Sequence, residues 1–253
     1  MAAAVALSPV AASSASVDIN FQAFGAGGSA DIAGATTALD AFIGSAPVIA
    51  GETFDGFTAC DGSNSASCDA SPVLSTSVGT FTGIVPTHTG GGSQVDPKDK
   101  IVVRSSTPDP YRRFNVVGSE DNWLDSNDMN GIRWEIPGAS GLSGITKIAF
   151  FLTDVNDVGS VAFSIKANEG SLTNNVMNLP NSSGRPNGEL LLVTMNFSDA
   201  LSLITIEMTT GNGDGFGMDG IRVAAVPVPA AGLLLLGGLG GLAAVRRRRK
   251  KSI

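Results

Sequence analysis

Along much of the chain, apolar and polar residues alternate at every second position, the period of a half-buried strand. Val17 to Phe24 begins the series. Strand-like runs recur at Arg113–Val117, Gly131–Ile136, Ile145–Val155, Ser160–Ala167, Glu189–Phe197, Leu203–Thr210 and Gly217–Val226, with turn-rich clusters at 181–188 and 211–215. One segment changes period. Ile32, Ala35, Leu39, Phe42 and Ile43 fall at helical spacing between Ser29, a candidate N-cap, and Gly44, a candidate terminator. Val48–Phe57 reads as a further strand, and Ser75–Ser106, rich in Gly, Thr and Pro, is expected to hold short strands between long loops. In Ile145–Val155, Ile148, Phe150 and Leu152 alternate with Ala149, Phe151 and Thr153, so both faces are largely apolar. That strand is expected at the centre of a two-sheet stack. The pattern predicts an all-β fold, an antiparallel jelly-roll sandwich with one short N-terminal helix.

The end of the chain abandons this pattern. Val226, Pro227, Val228, Pro229 and Ala230 lead into an uncharged run that lasts to Val245 and stops at Arg246, Arg247, Arg248, Arg249, Lys250 and Lys251. As a helix the 16 residues from Ala230 to Val245 cover about 24 Å, short of the roughly 30 Å hydrocarbon core. The prolines belong at the outer interface, and the six cations hold the C-terminus on the cytoplasmic side. The expectation is a marginal C-terminal transmembrane helix, suited to being held briefly and then cut. This three-part tail resembles the PEP-CTERM sorting signal in its VPLPA-like variant, with Val228 where Glu or Leu is commoner. The resemblance implies recognition by a membrane-embedded exosortase, transient anchoring in the inner membrane, removal of the tail, and release or attachment at the cell surface.

An outside-facing domain needs an export signal. Residues 1–16 supply a small apolar stretch and a small-residue cleavage site around Ser13, Ser14 and Ala15, and read as a signal peptide for Sec export. They lack a positive n-region, so the true start is expected upstream of Met1. The chain thus divides into a signal peptide (1–16), an extracellular sandwich (17–225) and a sorting tail (226–253).

Charge follows the same division. Six of 16 basic residues lie in the tail, leaving ten against all 23 acids, a net of −13 before the tail. That balance disfavours nucleic acid and anionic lipid as partners and suits a soluble extracellular protein. Cys60 and Cys68 enclose the polar loop DGSNSAS and in an oxidising compartment are expected to form one local disulfide. With a single histidine, His88, and no second cysteine pair, zinc chemistry has little to work with.

Several short motifs resemble jelly-roll domains that accompany such tails: Glu52-Thr53-Phe54-Asp55, Trp123-Leu124-Asp125-Ser126-Asn127-Asp128, Phe150-Phe151-Leu152-Thr153-Asp154, and Asp214 to Val223. In the last, Asp219-Gly220 stands where such domains often carry Asp-Asp.

Candidate chemistry is sparse. Glu52 and Asp55 on an early strand, with Asp214 and Asp219 on the last, form a candidate Ca²⁺ site if those strands are neighbours, because Ca²⁺ takes hard oxygen ligands. The alternative is that Asp214 makes its turn and the others face solvent. Asp125, Asn127, Asp128 and Asn130, and Asp154, Asn156 and Asp157, fit turns better than the calcium-loop pattern, since Val158 stands at an oxygen-ligand position. For glycoside hydrolysis the strand-borne carboxylates are Glu135 and Glu207, without the ExDxxE signature of jelly-roll glucanases. Trp123, Trp134 and Tyr111 are the aromatics suited to stacking on sugars; Trp134 reads as core, leaving Trp123, placed in a loop, as the candidate glycan contact. The expected function is a non-enzymatic, surface-sorted protein. That it is a component or binder of extracellular matrix or exopolysaccharide is what the resemblance to exosortase substrates implies, with a carbohydrate-active hydrolase and a passive structural protein as alternatives.

Overall fold

The computed structural model describes residues 15–60, 68–84, 100–105, 113–119, 121–127, 129–136, 142, 144–155, 163–168, 175–179, 186–210 and 215–225. Residues 1–14 and the sorting tail lie outside them, whereas the last two residues of the expected signal segment belong to the sandwich: Ala15 is buried in its core and the Ser16 carbonyl accepts from the Ser198 N–H at 2.9 Å. In chain order the elements are β1 (Val17–Ala26), α1 (Ile32–Ile43), β2 (Val48–Glu52), β3 (Ala70–Ser71), β4 (Val73–Thr76), β5 (Gly79–Ile84), β6 (Ile101–Ser105) and β7 (Asn122–Asp125). There follow β8 (Gly131–Ile136), β9 (Ile145–Thr153), β10 (Phe163–Asn168), β11 (Asn175–Leu179), β12 (Glu189–Leu201), β13 (Ile204–Thr209) and β14 (Gly217–Ala225).

They build two antiparallel sheets. The larger runs β1-β12-β9-β14-β7-β6-β3, with β2 also paired to β14; the smaller runs β11-β10-β13-β8-β5-β4. The all-β sandwich and its one short α-helix are as the periodicity predicts. Between the sheets lies a core in which Trp134 stacks on Phe81 at 5.3 Å and meets Phe150 edge-on at 5.9 Å. The Trp134 indole N–H donates to the Val78 carbonyl at 3.1 Å, so this buried ring is satisfied as well as packed.

β9 is central, between β12 and β14. Its inward residues Ile148, Phe150 and Leu152 join the inter-sheet core, while Ala149 and Phe151 face outward and are buried with Ala35, Leu39 and Ile43 of α1. The helix therefore explains why the strand is apolar on both faces. Its cap differs from the expectation: Asp31, not Ser29, accepts from the Gly34 N–H at 2.9 Å, and Ser29 instead donates to the Ala26 carbonyl. Gly44 ends the helix with φ 58°, in the left-handed region that favours glycine. Lys147 donates to the Phe42 carbonyl at 2.6 Å, placing a cation at the helix C-terminus and fastening α1 to β9.

Three segments depart from the periodicity. The strand expected over Val48–Phe57 ends at Glu52, where the chain turns at Phe54 with φ 58°, so Asp55 lies in a turn and not on the early strand. Arg113–Val117 is not a strand. It lies over the outer face of the larger sheet, where the Val116 and Val117 N–H groups donate to the carboxylate of Asp219 rather than to a neighbouring strand. Trp123, expected in an exposed loop, lies in β7 and is fully buried.

Candidate functional site

The early and late strands are neighbours. β2 pairs with β14, Glu52 opposite Ile221. The three candidate calcium ligands within the described residues nevertheless face hydrogen-bond donors. Glu52 accepts from the Thr53 and Phe54 N–H groups at 3.1 and 2.9 Å and, through its other oxygen, from the Ser77 hydroxyl at 3.0 Å. Asp55 accepts from the Ser119 N–H at 2.8 Å. Asp219 accepts from Val116, Val117 and Gly220 N–H at 2.7, 2.8 and 2.6 Å. Such donors stabilise carboxylates but point positive ends where a cation would sit. Asp214 lies outside the described residues, and among these no group of three or more His, Cys, Asp or Glu side chains converges on a metal position.

Burial pushes the Asp219 carboxyl up from 3.8 to about 7; its three backbone N–H contacts pull it down, and the negative charge of Asp55 pushes it further up. Gly220 beside it has φ 60°, and β14 shifts register there. A β-carbon at 220 would stand 2.7 Å from the Phe151 ring, which is why an Asp-Asp pair does not fit this position.

Trp123 offers no face to a sugar. Its run, Asn122-Trp123-Leu124-Asp125, is buried throughout. Asn122 donates to the Phe57 carbonyl at 3.0 Å, and Asp125 receives Arg104 at 2.5 Å and Arg113 at 2.9 Å. Arg113 also reaches Asp154 at 3.3 Å, and Asp154 in turn accepts from the Gly188 N–H at 2.7 Å. This buried Arg104–Asp125–Arg113–Asp154 chain was not expected from the sequence, where Asp125 and Asp154 read as turn formers. Only the arginines, at separations of 21 and 41 residues from their partners, reveal that these acids are paired. Cys60 and Cys68 are joined in a disulfide. His88, Tyr111, Asp128, Asn156 and Asp157 lie outside the described residues.

The two sheets differ on their outer sides. On the larger, α1 and the 113–119 segment cover the middle around Ala149, Phe151, Leu190, Leu192 and Ala224, while Asp18, Asn20 and Gln22 of β1 and Asn196 of β12 stay exposed beside them. The smaller presents polar side chains outward across its central strands. On β8, Arg133 and Glu135 are exposed and alternate with buried Ile132, Trp134 and Ile136. The register places Thr82, Arg133, Glu207 and Lys166 in one row across four strands, with Thr80, Glu135 and Thr205 in the next. Neighbouring strands are about 4.8 Å apart, so a row offers one polar side chain per such interval. Arg133 bridges to Glu207 at 2.7 Å.

No family model matches the chain, and neither does any curated protein. Solved structures similar to it include the C-terminal family 22 carbohydrate-binding module of Clostridium thermocellum Xyn10B, 17% identical, with a TM-score of 0.34 and covering 71% of this chain and 93% of that one. A second is a family 22 xylan-binding domain, 16% identical, TM-score 0.35, covering 72% and 97%. A third is a cleaved adhesin domain of Lys-gingipain from Porphyromonas gingivalis, 12% identical, TM-score 0.28, covering 71% and 99%.

On the open face, Glu135 and Glu207 lie on adjacent strands in a diagonal relation, since Glu135 is opposite Thr205 and Glu207 opposite Arg133. Diagonal neighbours on one face sit roughly 7–8 Å apart at the backbone. The face can therefore donate and accept hydrogen bonds along an extended polar ligand, with the carboxylate of Glu207 already held by Arg133.

Proposed function

We propose that the chain is an exported, exosortase-sorted surface protein whose jelly-roll sandwich binds extracellular polysaccharide without cleaving it. The observation that carries the binding reading is the contrast between the two outer faces. The middle of one is occupied by α1 and the 113–119 segment, leaving polar residues exposed along its β1 side, while the other displays Thr82, Arg133, Glu207 and Lys166 in a row across four central strands. A polysaccharide presents hydroxyl groups at regular intervals, and such a row supplies donors and acceptors at regular intervals to meet them. The sorting reading is supported by the tail sequence, in which Val226 to Ala230 precede an apolar run and six cations.

The diagonal placement of Glu135 and Glu207 favours a hydrolase as the second reading. One experiment separates the readings. Purified protein is incubated with a panel of polysaccharides, and both its retention and the release of new reducing ends are followed. Retention without release is the expected result; release that is lost in Glu135→Gln and Glu207→Gln establishes the hydrolase, and no retention on any glycan leaves a passive structural protein. Co-expression with an exosortase tests the sorting half: the expected result is loss of the basic tail, and an uncut chain rejects it.

A further inference from the structure

The strand that leads into the sorting tail is not a loose terminus. β14 is hydrogen-bonded to β9 along its length, and its last residue, Ala225, donates through its N–H to the Pro47 carbonyl at 3.1 Å. Ala225 is opposite Ile145, the first residue of β9, and Ile145 on its other side is opposite Leu201, the last residue of β12. Val48, the first residue of β2, is opposite Ala224. One end of the sandwich is thus built from the starts of β2 and β9, the ends of β12 and β14, and the turn before β13.

Three large side chains among the described residues are exposed at this end, where a soluble domain would place polar groups: Leu203 at 52%, Val48 at 48% and Ile49 at 36%. Only four residues, Val226 to Pro229, separate Ala225 from the start of the uncharged run at Ala230. Whatever their conformation, five residue steps reach at most about 18 Å, of which roughly 5–8 Å is headgroup layer. A run too short for the hydrocarbon core draws its flanks further inward.

We infer that, while the tail is in place, this end of the sandwich rests on the outer surface of the same bilayer, with Leu203, Val48 and Ile49 in the headgroup region. The contact is apolar rather than electrostatic. Asp199 is exposed near the end of β12, and the sandwich sequence is acidic, so anionic headgroups add no attraction. The inference rests on the sorting-tail reading of the proposed function, and it adds which surface meets the membrane. The domain is then held with one end down and the open face of the smaller sheet upright.

The test uses the full chain reconstituted into phosphatidylethanolamine–phosphatidylglycerol vesicles with and without brominated lipid, a short-range quencher. Both natural tryptophans, Trp123 and Trp134, are fully buried in the sandwich, so the wild-type signal serves as the baseline. Leu203→Trp and Val48→Trp place a reporter at the inferred contact. Ile32→Trp places one at the opposite end of α1, where Ile32 is 40% exposed. The expected result is loss of most of the added emission in brominated vesicles for Leu203→Trp and Val48→Trp, with Ile32→Trp unaffected. Protein that floats with the vesicles while all three reporters remain unquenched overturns the docking and leaves the membrane tail standing. A chain that does not float with the vesicles overturns both. Unchanged circular dichroism guards against misfolding, and having two independent exposed positions means that failure of one variant does not remove the test.

Discussion

Arg133 on β8 and Glu207 on β13 lie directly opposite one another and form an ion pair at 2.7 Å on the outward face of the smaller sheet. Arg133 is about half exposed, 48% for the side chain, so the pair is screened by solvent. Its contribution to folding is small, and its position in the Thr82–Lys166 row makes it the natural place to alter binding without altering the fold. Arg133→Ala is predicted to change unfolding free energy by about 1 kcal/mol or less in urea titrations. A much larger loss would make the pair a structural element rather than part of a binding face.

The buried ionic chain is predicted to behave oppositely. Asp125→Ala leaves Arg104 and Arg113 buried without their shared carboxylate and should cost about 3–5 kcal/mol in chemical denaturation. A cost under about 1 kcal/mol would mean that the two arginines find new partners.

Stability should fall as pH rises through the range set by Asp219. Its carboxyl is raised from 3.8 to about 7, so between those values the folded protein keeps a proton that the unfolded chain has released. The folded state is therefore favoured most below about 4 by this group and loses that advantage progressively up to about 7. Melting temperatures measured from pH 4 to 8 should show this decline, and Asp219→Asn should flatten it. An equally steep decline in the variant would assign the effect to another group.

Chelation should leave the melting temperature unchanged, because Glu52, Asp55 and Asp219 already accept N–H or O–H donors. A fall in EDTA that is restored by Ca²⁺ would mean that a cation displaces those donors, by ordinary ligand linkage.

Much of the fold was legible in the sequence because most strands bury one face and so alternate openly. β8 reads directly: Ile132, Trp134 and Ile136 point in, Arg133 and Glu135 out. β9 and α1 were legible as a pair of signals, a strand apolar on both faces and a helix with one apolar stripe, and the structure packs one on the other. What stayed hidden had polar residues in buried places. Asn122 and Asp125 make β7 look like a turn, and only their distant partners, Phe57 and the two arginines, turn them into interior residues. Arg113–Val117 alternates like a strand, but its N–H groups are taken by a carboxylate 102 and 103 residues away, a pairing no local pattern encodes. For the proposed binding face, Glu135 and Glu207 were visible as outward strand residues; their placement on adjacent strands required the register.

The most direct test is retention on immobilised exopolysaccharide, measured as a dissociation constant for the wild type and for the double variant Arg133→Ala/Glu207→Ala. The outward face of the smaller sheet as the binding surface predicts binding about tenfold or more weaker in the variant, a loss of about 1.4 kcal/mol, at unchanged melting temperature. Equal affinity in the two proteins would contradict it.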